Sequence, residues 1–163
     1  MKKNILIRHA KSAWDNPWLE DHDRPLAQRG LDAAPKMGRK LRKLDVYPDL
    51  ILSSTALRAK QTAELIAKEI GYPIQDIQFE KGLYHSSAST IMHYIHEQKN
   101  DYTTLYIVCH NPGITDLVNK LGYVLDNLPT AGIVCFKSDC KEWNEFLPDN
   151  IVFDFYDYPK KGN

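Results

Sequence analysis

The chain has 163 residues, 43% of them hydrophobic, and its 21 lysines and arginines balance 21 aspartates and glutamates. That length supports one hydrophobic core and predicts a single domain over residues 1–163. Balanced charge excludes the broad basic field of a nucleic-acid binder, so any anion site must be made from a few placed cations.

Lys2-Lys3 followed by Ile5-Leu6-Ile7 opens like a signal peptide, but Arg8 ends the apolar run too early for one. The run reads instead as a short buried strand. Trp14 and Trp18, interleaved with Asp15, Asn16 and Pro17, form a loop whose aromatics either gate a pocket or simply pack. Leu31, Ala34, Gly38 and Leu41 mark a helix that Pro35 must kink or begin. Leu50-Ile51-Leu52 is a second strand. Ser54 and Thr55 are expected to cap a helix with Ala59, Ala63, Ile66, Ala67 and Ile70 on its apolar face, closed by Gly71.

Residues 74–79 and 132–136 read as further strands, 88–98 as a helix, and 105–109 as a buried strand. Asn111-Pro112 is predicted to be the cap and first position of a helix carrying Ile114, Leu117, Val118 and Leu121, stopped by Gly122. An edge strand is expected at 143–146 or 151–155. Strands alternating with helices predict an α/β fold with a mostly parallel sheet. Cys109, Cys135 and Cys140 form no CxxC pair, and three thiols suit a reducing, cytoplasmic compartment better than a disulfide framework. No run approaches membrane-spanning length.

Arg8 and His9 follow the first strand, Arg58 lies in the first turn of a helix, and His110 follows the strand at 105–109. In a parallel sheet these are carboxyl ends of strands, where ligands bind. The start of the helix after His110 adds backbone N–H groups and a positive dipole end. Two arginines and two histidines brought together make a phosphate site, since the guanidinium fork grips phosphate oxygens in pairs. Flanking cations also disfavour protonation of His9 and keep it nucleophilic. Any one of these residues alone would more often be structural; their joint placement carries the reading.

Leu6-Ile7-Arg8-His9-Ala10-Lys11-Ser12, Asp23-Arg24-Pro25-Leu26 with Arg29-Gly30, Ser53-Ser54 with Arg58-Ala59-Lys60-Gln61-Thr62, and His110-Asn111-Pro112-Gly113 stand in that order. The set resembles the histidine phosphatase superfamily, which includes the cofactor-dependent phosphoglycerate mutases. The short length and the RHAKS and DxDRPL forms look most like its SixA-like phosphohistidine phosphatase branch. The resemblance implies a three-layer sandwich with a mostly parallel central sheet flanked by helices. It makes His9 the phosphorylated nucleophile, Arg8, Arg58 and His110 the phosphate pocket, and Arg24 an additional contact. It implies neither cofactor nor metal, and a substrate that is a phosphohistidine on a protein or a small phosphate ester. Ala10 replaces a common glycine, and Ala27 stands where a capping Ser or Thr is frequent.

Asp21, Asp23 and Glu80 are the candidates for a proton donor. None is required if the leaving group is an imidazole protonated on its other nitrogen, whose conjugate acid has a pKa of about 6.5. A cysteine phosphatase needs Arg six positions after Cys, and Thr115, Lys141 and Phe146 stand there instead. No P-loop is present. His85, His93 and His96, with Glu97, are close in sequence but lack a metal-binding spacing and read as surface or groove residues. A non-catalytic phosphoprotein-binding module would keep the arginines and discard the nucleophile, and His9 and His110 favour an enzyme.

Overall fold

The computed structural model describes residues 1–161. In chain order the elements are β1 (Lys2–Arg8), α1 (Gln28–Lys43), β2 (Leu50–Ser54), α2 (Leu57–Ile70), β3 (Gln78–Glu80), α3 (Ala88–His96), β4 (Thr104–Cys109), α4 (Gly113–Lys120), β5 (Ile133–Ser138) and β6 (Val152–Asp157). The strands form one sheet in the order β3-β2-β4-β1-β5-β6. Pairing is parallel from β3 through β1, and β5 runs against both its neighbours.

Alternation along the strands builds the layers. Ile5, Ile7, Ile51, Tyr106 and Val108 face α1 and α2, packing on Met37, Leu41, Ala63 and Ile66. Leu6, Leu52, Leu105 and Ile107 face the other way, onto Ile91 and Ile95 of α3 and Leu117 and Val118 of α4. The three-layer α/β arrangement is as expected. Among the described residues, no helix is long and apolar enough to cross a membrane.

Several local expectations change. Of residues 74–79 only the end pairs with β2, because the chain after Pro73 first makes a 3-10 turn at Ile74–Asp76. Residues 143–146 are no strand: Trp143–Glu145 is a 3-10 turn, and Trp143 and Phe146 are both fully buried, three residues apart, under α3. The edge strand is β6. Pro35 sits inside α1 rather than at its start. Ser54 does not cap α2; it ends β2, and Ala56 precedes the helix with no side-chain cap. Gly71 closes α2 with a left-handed φ of 81°.

Ala27, too, gives α1 no side-chain cap. Neighbouring segments hold that helix start instead: Leu26 N–H donates to Gln61 Oε1 at 2.7 Å and Ala27 N–H to the Lys11 carbonyl at 2.9 Å. The approach explains Gly30, where a Cβ would lie 2.2 Å from the Lys11 carbonyl oxygen. α1 is thereby pressed onto the segment that follows β1.

Candidate active site

Parallel pairing of β1 with β4 sets Arg8 opposite Cys109. One residue further, His9 and His110 leave the sheet side by side, with ring centroids 5.1 Å apart. β2 flanks β4 and ends at Ser54, and the first turn of α2 delivers Arg58 to the same end. The four residues that the sequence singles out, with Arg24, line one cavity of about 220 Å³.

His9 is only 7% exposed. Its Nδ1 lies 2.8 Å from the Ala10 carbonyl oxygen, which can only accept, so the proton sits on Nδ1 and the lone pair on Nε2. Burial pushes its pKa down to about 4; the Ala10 bond opposes this, and Arg58, Arg8 and Arg24 add to it. The imidazole is neutral at physiological pH. His110 is held neutral in the same way, by burial and then by His9 and Arg58. Its Nε2 meets Ser54 Oγ at 2.8 Å, and that oxygen also accepts from Ala56 N–H at 3.2 Å. Ser54 thus positions His110 rather than capping a helix.

Asp21 organises the cations. Arg58 Nη1 donates to its carbonyl at 2.7 Å and Nη2 to Oδ2 at 3.0 Å. Arg24 Nε donates to Oδ1 at 3.1 Å, while Arg24 Nη1 holds Ser12 Oγ at 2.8 Å and the guanidinium stacks 3.4 Å from the Trp14 ring centroid. Arg24 is therefore largely committed to protein partners. Arg8 Nη1 donates to the Leu128 carbonyl at 3.0 Å. Arg8 Nε, Arg58 Nε and His110 Nδ1 are buried and meet no protein partner among the described residues. All three residues line the cavity, and unpaired atoms of this kind are unusual in a folded interior, where buried polar groups are nearly always paired.

None of the three carboxylates considered as proton donors lines the cavity. Burial would raise the Asp21 pKa, but the Tyr84 hydroxyl, donating at 2.6 Å, and Arg58 and Arg24 hold it well below the usual carboxylate range. Asp21 thus stands as an anchor for the two guanidinium groups. Asp23 is exposed beside His22. Glu80 accepts from Gln78 Nε2 at 2.7 Å and pairs across β3 and β2 with Ser54.

His85 does line the cavity. Its φ is 54°, its ring lies 3.9 Å from that of Tyr84, and its Nε2 is 3.6 Å from Asp21 Oδ2. Sequence spacing placed it with His93 and His96, which lie elsewhere. His93 meets Glu97 at 2.9 Å on the exposed face of α3, and His96 Nε2 meets the Phe146 carbonyl at 2.9 Å. No group of three metal-ligating side chains occurs among the described residues. Gly113 was the available signal for His85: a Cβ there would lie 2.0 Å from the Ser86 carbonyl, so the start of α4 must meet the segment carrying His85. Trp14 also lines the cavity, whereas Trp18 is 92% exposed.

Residues 4–103 match the histidine phosphatase superfamily (branch 1). An uncharacterized chloroplastic protein of Arabidopsis thaliana is 30% identical over 152 residues, 88% of this chain and 70% of that protein. A candidate phosphohistidine phosphatase SixA of Agrobacterium tumefaciens superposes with a TM-score of 0.82 at 26% identity, covering 97% of this chain and 98% of that one. A protein histidine phosphatase SixA complexed with tungstate superposes equally well, at 0.82, over 96% of this chain and 97% of that one; at 23% identity it shares the fold.

Proposed function

This chain belongs to the histidine phosphatase superfamily, and from that premise we propose that it hydrolyses phosphohistidine on a protein, through a phosphoryl group carried by His9. The observation that carries the reading is the His9 tautomer: a neutral, buried imidazole with its Nε2 lone pair unencumbered in a cavity of arginines. Nε2 attacks phosphorus as the bond to the leaving group breaks, and water then cleaves the P–N bond, releases phosphate and restores His9. Arg8, Arg58 and His110 stabilise charge on the equatorial oxygens, which is most of what phosphoryl transfer asks of a protein. The guanidinium groups on the cavity wall support an anion here. No step calls for a metal or cofactor.

Phosphohistidine is favoured because none of the three candidate carboxylates lines the cavity, and an imidazole departs without a strong acid. The connection from β3 to α3 is one 3-10 turn and a short loop, leaving little material to close over a small substrate. One observation favours small phosphate monoesters as the second reading. His85 is a titratable group on the cavity wall, able to protonate an alkoxide as it leaves. The free cysteines Cys109, Cys135 and Cys140 support a reducing, cytoplasmic setting. A panel of protein-borne phosphohistidine and small phosphomonoesters tests the reading. We expect kcat/KM to favour phosphohistidine by about a hundredfold or more; comparable values would transfer the assignment to the second reading.

A further inference from the structure

A second, larger cavity of about 490 Å³ adjoins the first, and Lys11 and Thr130 belong to the walls of both. Its floor is apolar, made by Ala33 of α1, Pro129, Tyr158 and Pro159. The cations around it are Lys11, Arg29, Lys36 and Lys160, against one carboxylate, Asp32. In a chain with no net charge this excess is local and not a by-product of overall basicity. Lys36 is committed, donating to the Pro159 carbonyl at 2.6 Å, and Lys40 donates to Asp157 Oδ1 at 2.8 Å, so α1 pins the chain after β6 as a standing wall. Arg29 and Lys160 are exposed.

We propose that this groove is the seat of the polypeptide flanking the phosphorylated histidine, and that it selects a segment pairing an apolar side chain with acidic ones. The inference rests on the phosphohistidine reading above. The chemistry of the groove separates this occupant from a second phosphate group. Tight phosphate sites are built from buried forks and backbone N–H groups, as around His9. Here the cations stand at a solvated rim over a proline and tyrosine floor, which suits apolar packing with long-range attraction of carboxylates.

The test uses the full chain with a phosphohistidine peptide carrying Asp and Leu neighbours, the same peptide with Asn for Asp, phosphoimidazole, a small bisphosphate and a phosphomonoester. The acidic peptide should show a KM about tenfold lower than the neutral one at low salt, an advantage that shrinks at high salt. Arg29→Gln with Lys160→Gln should remove that advantage, with kcat and phosphoimidazole turnover unchanged. Equal KM values for both peptides would overturn the groove and leave the phosphohistidine reading standing. So would a double variant impaired only on small bisphosphates, which would make the groove a second phosphate subsite. Failure to hydrolyse either peptide or phosphoimidazole while the phosphomonoester turns over would overturn both.

Discussion

The Nδ1 of His9 lies 2.8 Å from the carbonyl oxygen of Ala10, and that single contact decides which nitrogen can act. A carbonyl accepts and never donates, so Nε2 carries the lone pair. The phosphorylated intermediate should therefore be the Nε2-linked phosphohistidine of residue 9. Rapid quench with labelled substrate, digestion at alkaline pH and mass spectrometry should find an acid-labile adduct there, and the two-bond couplings of the ring nitrogens should assign the isomer. A label on Nδ1, or full turnover by His9→Ala, would contradict the site.

The depressed pKa of His9 has a sign that can be checked. Its folded-state value is about 4 against 6.5 for the free side chain. His9 stays neutral as pH falls through 6.5, and the phosphorylation rate should hold to about pH 5 before dropping as Nε2 is protonated. Stability follows linkage in the same window. Because the folded state resists protons that the unfolded chain accepts, the contribution of His9 and His110 is complete above the unfolded value and is lost as pH falls toward the folded ones. Denaturant midpoints should decline from pH 7 toward pH 4. An acid limb of phosphorylation centred near 6.5 would mean that His9 is not buried among arginines.

Asp21 supplies a sharper contrast. It holds Arg58 through both its carbonyl and its carboxylate, and Arg24 through the other oxygen. Asp21→Asn should lower kcat/KM by roughly 10- to 100-fold by loosening both forks. Since the residue carries no proton, the alkaline side of the pH–rate profile should keep its shape. Loss of that limb would restore Asp21 as an acid.

These contacts also show where the sequence was readable and where it was not. Strand ends are local patterns, so Arg8, His9 and His110 could be placed together once the sheet was parallel. The partners of each were not readable. Ser54 looks like a cap, but β2 runs two residues further than its apolar core and turns the hydroxyl toward His110. Asp21 lies in a loop with no periodicity, and it reaches Arg58, 37 residues on, and Tyr84, 63 residues on. Trp143 and Phe146 suit a strand by composition, yet their three-residue spacing belongs to a turn buried under α3. Long-range pairing decides each case.

Gly30 tests the link between α1 and the segment that follows β1. On propensity alone, Gly30→Ala should stabilise a helix by up to about 1 kcal/mol. The added Cβ would lie 2.2 Å from the Lys11 carbonyl oxygen, which already accepts from Ala27 N–H. Main chain cannot swing away as a side chain can, so the substitution should instead destabilise by about 1–3 kcal/mol. A chain of this size would then lose roughly 2–4 °C in thermal midpoint per kcal/mol. Activity should fall with it, because Lys11 is two residues from His9. A raised midpoint would show that α1 and that segment are not in contact.

His85 should decide how the protein treats different leaving groups. It stands on the cavity wall with its ring against Tyr84 and its Nε2 3.6 Å from Asp21 Oδ2. When an ester oxygen leaves, it carries a negative charge that a proton from His85 can cancel, and the neutral imidazole can then take the proton of the water that cleaves the His9 adduct. When a phosphohistidine ring leaves already protonated on its second nitrogen, no such help is needed. His85→Ala should therefore cost about a hundredfold on an alkyl phosphate, within the usual range for a general acid, and only a few-fold on phosphohistidine. An aryl phosphate with a stabilised phenoxide should fall between them, steepening the dependence of rate on leaving-group pKa. Losses of equal size on all three substrates would make His85 a structural support of the cavity wall and return the ester chemistry to a site without an acid.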